Sequence, residues 1–512
     1  MRTLAIFLAI ATATHGQTFE ASDVHPSARI SNPYTYASGG LLRGTRYDLR
    51  KATMLNLIQA AYGIDANRIA GGPSWLGLNR FDVSAKAPAS TSPEDLKLML
   101  QALLADRFKL AVHNDTQPLP AFALSPGKGK HKLKEADPSA KPGCQFQSRG
   151  DFATETCRNM TMEALAQNLK SYAGDYLPQV VVNATALEGA WDFDLKWNTR
   201  SQSLPAGAER LTIFKAVDQQ LGLQLGSQNV PTPVLVVDRA SEKPTPNAPN
   251  LAQVLPPRPV EFEVGEIKLT RPDEPGGFHL FPSGRFEMKG FPMIILMATA
   301  WDIDWDHTDQ MMANVPKWTA SKQFDVLAKT DPSSEPTGSG YIDDDLRFML
   351  RSLLIERFKM VTHNEDRPIS AYALTAAKPK LKKADPSNRA GCKEAGVVAN
   401  DPRDANPKLS RLVTCQNVTL AQFAQQLQPL VPDEFANPVV DDTGMKGAYD
   451  FTLSFSRSGD LRTGDAAHPS DPSGGISIFD AINKQLGLKL ELRKRMIPIV
   501  VIDSMQDHPS EN

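Results

Sequence analysis

The 512-residue chain has no large excess of either charge: 56 Lys and Arg stand against 58 Asp and Glu, a formal net charge of −2. Such a balance sets up no global field to draw a polyanion, so nucleic acid is not an expected partner. Long apolar runs are equally scarce. Beyond the N-terminus none approaches the roughly 20 residues that a membrane helix needs, so no transmembrane segment is expected in the mature chain. Cysteine occurs four times and never as CxxC, which leaves neither a zinc knuckle nor a thioredoxin-type redox motif. GxSxG, the P-loop, the Rossmann glycine fingerprint and HExxH are missing too. No cofactor, metal or catalytic residue is therefore assigned from motifs.

The N-terminus carries Arg2, an apolar stretch from Leu4 to Ala13, and small residues at Ala11, Ala13 and Gly16. This is the pattern of a signal peptide over residues 1–16, cut after Gly16 or, alternatively, after Ala13. No cysteine follows the apolar stretch, so a lipoprotein anchor is not expected. The protein is expected outside the cytoplasm, periplasmic or secreted. There the even count of Cys144, Cys157, Cys392 and Cys415 invites pairing, because the compartment is oxidising.

The chain repeats itself. Phe19-Glu20 recurs as Phe262-Glu263, an offset of 243 (262 minus 19), and Pro73-Ser74-Trp75 recurs as Pro316-Lys317-Trp318. LLADRFKLAVHN at Leu103–Asn114 returns as LLIERFKMVTHN at Leu353–Asn364, and LKEADPS from Leu133 returns as LKKADPS from Leu381. Cys157, Asn159, Thr161 and Gly189–Phe193 match Cys415, Asn417, Thr419 and Gly447–Phe451; Gln220-Leu221-Gly222 and Asp238 match Gln485-Leu486-Gly487 and Asp503. Collinear matches of this number define a tandem duplication. Between the copies, Ser241 to Pro259 holds six prolines and reads as an extended, semi-rigid spacer. The expected domains are residues 17–240 and 260–512, with the linker at 241–259.

Within a copy the apolar period alternates between helix and strand. Met54, Leu55, Leu57, Ile58, Ala61 and Tyr62 make a helical stripe, followed by short extended segments near Arg68–Gly72 and Arg80–Ala85. A second helix is expected after Ser92, an N-cap with Pro93 at the first helical position, carrying Leu96, Met99, Leu100, Leu103 and Leu104. Phe108–His113 and Ala121–Leu124 read as two strands. The second half repeats the order: helix Met162–Leu169, strands Val180–Asn183 and Trp191–Trp197, helix Ile213–Leu221, then strands Leu223–Leu225 and Val234–Asp238. The expected class is α+β, each copy two helix-strand-strand-helix-strand-strand units with mainly antiparallel sheet.

Several phrases carry a family resemblance: AYGI at Ala61–Ile64, GGPSWL at Gly71–Leu76, RFDVSAKA at Arg80–Ala87, LLADRFKL, PVVDDTGMKGAYDFTL at Pro438–Leu453, QLGLKLE at Gln485–Glu491 and the terminal PSEN. They resemble the acidobacterial, soil-associated family of exported proteins built on a domain of unknown function. The resemblance implies an extracytoplasmic location and no assigned activity. In some relatives the domain follows a BlaR1/MecR1-type membrane peptidase, which implies sensing or binding. Copy two departs from the pattern at Trp301–His307, where WDIDWDH replaces AYGI, and this argues against a ligand site shared there. In the order of its elements the chain is also similar to the short N-terminal modules of secretins and TonB-dependent receptors.

Candidate chemistry is thin. His113 and His363 stand at equivalent positions, each with an acid two residues on, Asp115 or Glu365. Two ligands fall short of the three or four of a metal site, and a strand-end histidine capping a loop is the favoured reading. Asp302, Asp304, Asp306 and Asp309 alternate as calcium ligands do, but His307 and Ala313 break the EF-hand register; a solvated loop between buried Trp301 and Trp305 is expected instead. Ser125-Pro-Gly-Lys128 matches S-x-x-K only by letters, since Pro-Gly favours a turn. Asn159 and Asn417, in N-x-T triplets, read as helix caps. The cysteines are expected to pair as Cys144–Cys157 and Cys392–Cys415, one disulfide inside each copy, stabilising each by about 3 kcal/mol in the chain-entropy model.

Function is therefore open between two classes. The favoured one is an extracytoplasmic binding or protein-interaction module of the bacterial envelope, holding an envelope protein or ligand at sheet edges or loops. The alternative is an exported hydrolase or metal-dependent enzyme whose site is assembled from distant loops. N-terminal sequencing of the protein recovered from fractionated cells is expected to begin near Gln17; a start at Met1 would remove the signal peptide and the location that follows from it.

Overall fold

The computed structural model describes residues 18–27, 37–149, 152–177, 179–199, 210–258, 260–271, 276–281, 283–330, 342–386, 388–394, 401–406, 408–431, 434–435, 437–457, 461 and 475–510. The expected signal peptide lies outside them.

Two long strands organise each copy. In copy one Ala111–Pro126 (16 residues) pairs antiparallel with Leu223–Arg239 (17 residues), with Pro126 opposite Leu223 and Val112 opposite Val237. The sequence predicts two short strands in place of each, because apolar alternation stops through Asn114–Pro120 and Gly226–Pro233. The structure shows why it stops. Those central segments lie outside any core and are largely exposed, so neither face requires apolar side chains. The ends belong to separate cores. At one end Leu110, Leu235 and Val237 pack with Tyr47, Leu57, Phe81, Leu104 and Phe108. At the other, Phe122, Leu124 and Leu223 pack with Leu165, Leu169, Tyr176, Trp197 and Leu221.

Short parallel strands flank the ribbon at opposite ends, Ile69–Gly71 beside Leu235–Val237 and Val181–Asn183 beside Phe122–Leu124. Among the described residues no other strand pairs with either ribbon edge, and proline occupies these edges. Pro118, Pro120, Pro126, Pro231 and Pro233 all share one parity of the register. A proline has no N–H to give the ladder, so this parity is that of the non-hydrogen-bonded pairs, whose N–H groups would point outward. The substitutions therefore strip donors from the free edges, as edge strands do to resist strand addition. Pro368 and Pro498 occupy the same parity in copy two.

The first lobe of copy one is an antiparallel sheet in the order Ala21–Pro26, Arg80–Lys86, Arg46–Thr53, Ser38–Arg43. Its helices are Met54–Tyr62, opened by a Thr53–Asn56 capping box, and Pro93–Arg107, capped by the Ser92 hydroxyl accepting from Asp95 N. The second lobe has the sheet order Lys134–Glu135, Trp191–Trp197, Phe152–Met160, Gly143–Arg149, against helix Met162–Tyr172 and a helical turn Ile213–Ala216 that widens to a π-turn through Leu221. Copy two repeats this plan: its ribbon is Val361–Ala376 with Leu488–Ser504, and its lobes carry helices Met293–Ala300, Asp344–Phe358 and Leu420–Leu430. The protein is α+β, two similar halves with mainly antiparallel sheets, as expected.

The Ser241–Pro259 segment does not behave as a spacer where it is described. Ser241 N donates to Phe108 O at 2.7 Å and Thr245 N to Arg107 O at 2.8 Å. The buried Arg107 guanidinium donates to Thr245 O at 2.7 Å and to the Asn247 side chain, whose carbonyl also accepts from Val24 N. Beyond it, charge joins the two copies. Arg43 contacts both Asp343 and Asp345; Lys51 Nζ lies 2.6 Å from Asp302 and 3.2 Å from Asp344; Arg258 sits 4.6 Å from the ring centroid of Phe348. Burial pushes the Asp345 carboxyl up to about 6 against the pull of Arg43. At a second contact Arg389 donates to Ile69 O and Gly71 O, both at 2.8 Å, and Ala390 N to Ser74 O.

The recurring QLG has a steric cause. Gly222 and Gly487 end their π-turns at φ +69° and +66°, and a Cβ on Gly487 would stand 1.7 Å from Lys378 O. Gly487→Ala is expected to cost copy two at least about 2 kcal/mol. Hydrogen exchange in the Leu488–Ser504 strand should then accelerate roughly 30-fold; unchanged exchange there would contradict the steric account.

Candidate functional site

Both copies place their ribbon histidine alike. His113 lies opposite Val236 on the ribbon, and Asp238, two residues along that partner strand, shares its face. His113 Nδ1 is 2.9 Å from Asp238 Oδ1, and His363 Nδ1 is 2.9 Å from Asp503 Oδ2. The partner is thus the recurring aspartate more than a hundred residues away. Asp115, the neighbour in sequence, instead accepts from Thr116 N and Gln117, hydrogen bonds that hold its carboxyl below the usual range. In copy two Glu365 remains 4.0 Å from His363 Nε2. A carboxylate on Nδ1 fixes the ring and presents Nε2, the geometry of an oriented base or a ligand. Both dyads are about half exposed, where solvent screens the pair. The expectation of a histidine capping a loop gives way to a cross-strand dyad.

The aspartate-rich segment is not a solvated loop between two buried tryptophans. Asp302 takes φ +56° where copy one has Gly63 at +62°, a left-handed position that aspartate tolerates better than most residues. Its carboxylate pairs with Lys51 of the other copy and lies 3.3 Å from Arg347. Asp304 accepts from Asp306 N. Trp305 is half exposed and donates to Thr299 Oγ1, and Trp301 is only partly buried, beneath Arg351. The segment therefore helps join the copies.

Asn159 and Asn417 are not helix caps. The hydroxyls of Thr161 and Thr419 cap the following helices. Each asparagine sits at positive φ, its N–H donating to Asp192 or Asp450 and its side-chain amide to a loop carbonyl. The recurring Asp192/Asp450 pair is thereby accounted for.

Both disulfides are as expected, Cys144–Cys157 and Cys392–Cys415, each bridging directly opposed residues of neighbouring antiparallel strands. Among the described residues, one group of three His, Cys, Asp or Glu side chains has all its ligand atoms within 4.8 Å: Cys144, Glu155 and Cys157. Its sulfurs are bonded to each other and offer no thiolates to a metal. Glu155 is fully buried, and among the described residues neither carboxylate oxygen has a hydrogen-bond partner. Sequence reading missed it. The clue was the second copy, where the same register position, opposite Leu453 as Glu155 is opposite Leu195, is Val413.

The geometry describes a duplicated two-lobed α+β domain stabilised by one disulfide per copy. The chain belongs to the protein family of unknown function DUF3738, whose family model matches residues 55–240 and again 295–505. Each match opens inside the first helix of a copy and closes at the end of its ribbon, so the first-lobe strands before that helix precede it. No curated protein and no solved structure matches the chain.

Burial alone pushes the Glu155 carboxyl up to about 7. A folded value above the unfolded one means that the folded state holds the proton more tightly. Its stabilising contribution is complete below about pH 4.5 and is lost as pH rises to about 7, by about 3 kcal/mol through linkage. Urea unfolding of copy one, followed by hydrogen exchange in Phe152–Met160, should show this decline, and Glu155→Val, the copy-two residue, should flatten it. A wild-type profile as flat as the variant's would contradict the buried acid.

Proposed function

We propose that the protein is an extracytoplasmic binding module of the bacterial envelope, and that the face of the copy-two ribbon is its contact surface. The observation that carries this reading is the pair Leu492 and Met496, exposed at 59% and 64% in the middle of a strand. Alternate residues of a strand share a face, so they flank Lys494 and lie opposite Tyr372 and Pro368. An exposed apolar pair on one strand face is a feature of protein-interaction patches, and Met is among the residues enriched there. The copies differ here in chemistry while agreeing in backbone: the corresponding residues of copy one are Ser227, Asn229 and Pro231.

The edge prolines turn this reading away from strand addition and toward docking on the ribbon face. Paired cysteines are consistent with an oxidising compartment, and among the described residues no helix is long and apolar enough to cross a membrane. A photo-crosslinking residue at Lys494 in living cells should capture one specific partner, and Leu492→Ser with Met496→Ser should abolish that capture while both disulfides still form. If His113→Ala with His363→Ala removes the cellular phenotype while capture persists, the protein is an enzyme and the binding reading is wrong.

A further inference from the structure

The two disulfides provide an internal comparison. Both join a partly exposed cysteine on an edge strand, Cys144 or Cys392, to a fully buried one on the neighbouring strand, Cys157 or Cys415. They differ in what lies beside the sulfurs. Copy one has Glu155, two residues from Cys157 on the same buried face, with its carboxyl oxygen within 4.8 Å of both sulfur atoms. Copy two has Val413. Burying an acid with neither oxygen hydrogen-bonded costs free energy that a valine at this place does not, and no partner among the described residues offsets that cost.

We infer that the Cys144–Cys157 disulfide is a thiol-exchange site for an extracytoplasmic dithiol, with Glu155 as the proton donor to the buried leaving sulfur. An incoming thiolate attacks Cys144 Sγ, the reachable sulfur, and forms a new S–S bond. The Cys144–Cys157 bond breaks, and its electron pair leaves on Cys157 Sγ. An uncompensated thiolate in that apolar surrounding is strongly disfavoured, so the Glu155 carboxylic acid transfers its proton to Cys157 Sγ and becomes the carboxylate. The second thiol of the reductant, having lost its proton to solvent, attacks the mixed disulfide and releases Cys144, which is protonated by water; Glu155 recovers its proton from solvent. The net change is oxidation of one dithiol to a disulfide and reduction of the cysteine pair by two electrons. In reverse, the Cys144 thiolate attacks a partner disulfide to form the mixed disulfide, the Glu155 carboxylate takes the Cys157 thiol proton as Cys157 Sγ attacks Cys144 Sγ, and the partner leaves as a dithiol while the Cys144–Cys157 bond re-forms. Burial raises the Glu155 carboxyl, no charged side chain contributes to the shift among the described residues, and both disulfide sulfurs lie within 4.8 Å of the carboxyl. Because the acid is protonated near neutral pH, it is available in the form the step requires.

Dithiothreitol serves as the probe, on the full-length oxidised chain, with alkylation and peptide mapping to follow each disulfide separately. At pH 6.5, per unit of thiolate, Cys144–Cys157 should be reduced at least tenfold faster than Cys392–Cys415. Glu155→Gln, which keeps size and loses the proton, and Glu155→Val should each bring copy one to within about twofold of copy two. The wild-type thiolate-corrected rate for copy one should fall as pH rises through about 7, while the Glu155→Gln rate stays flat. Equal rates for the two disulfides, or a Glu155→Gln variant as fast and as pH-dependent as wild type, would overturn the assignment. Should a variant fold poorly, the wild-type comparison between disulfides and its pH profile decide the matter without it.

Discussion

The register of the long ribbon is the constraint on which each copy depends. Among the described residues its strands are the only ones that enter both lobes, so their pairing sets where each core receives its closing residues. A slip by one residue would leave one strand's set, Phe122 with Leu124 or Leu235 with Val237, on the wrong face for its core. The same register decides what the prolines do. At the observed parity they remove outward donors and leave the ladder intact; at the other parity each would cost a ladder hydrogen bond. Cohesion within the lobes and protection of the edges are thus two results of one alignment.

Charge has a different role, at the junction between the copies. Arg43, Lys51 and Arg258 from the first copy and its trailing segment meet Asp302, Asp343, Asp344 and Asp345 of the second in a setting shielded from solvent. Pairs of this kind add little net stability when intact, since desolvation offsets the attraction, yet losing one member leaves a buried charge unanswered. Such a junction discriminates strongly between right and wrong partners. It also explains why copy two departs from the family phrase at Asp302, the residue that meets Lys51.

Much of this architecture could be read from residues alone, and the exceptions have physical causes. Trp191–Trp197 is legible because one face is buried and the other wet, so its letters alternate. The Ser92 cap and the cysteine pairs are legible because their chemistry is local or recurs. Ser38–Arg43 was missed because an edge strand with two left-handed glycines shows no alternation. The ribbon was cut in two because its centre serves neither core. Asp238 could not be assigned to His113, since a partner 125 residues away in sequence leaves no spacing to recognise. Glu155 was hidden for the opposite reason: a lone acid in a strand reads as a solvent-facing residue unless its burial is known.

The ribbon also governs how the gene for such a protein can drift. Between the two copies the offset changes from 243 near the start to 265 near the end, so residues have been inserted or lost at many places. Yet the paired strands number 16 and 17 residues in one copy and 16 and 17 in the other. Point substitution has replaced Gly226–Pro233 by Glu491–Pro498 almost completely, while a single-codon deletion in either strand would need a matching one more than a hundred residues away. Length in these segments is inherited as a unit, and only side-chain identity is free to diverge.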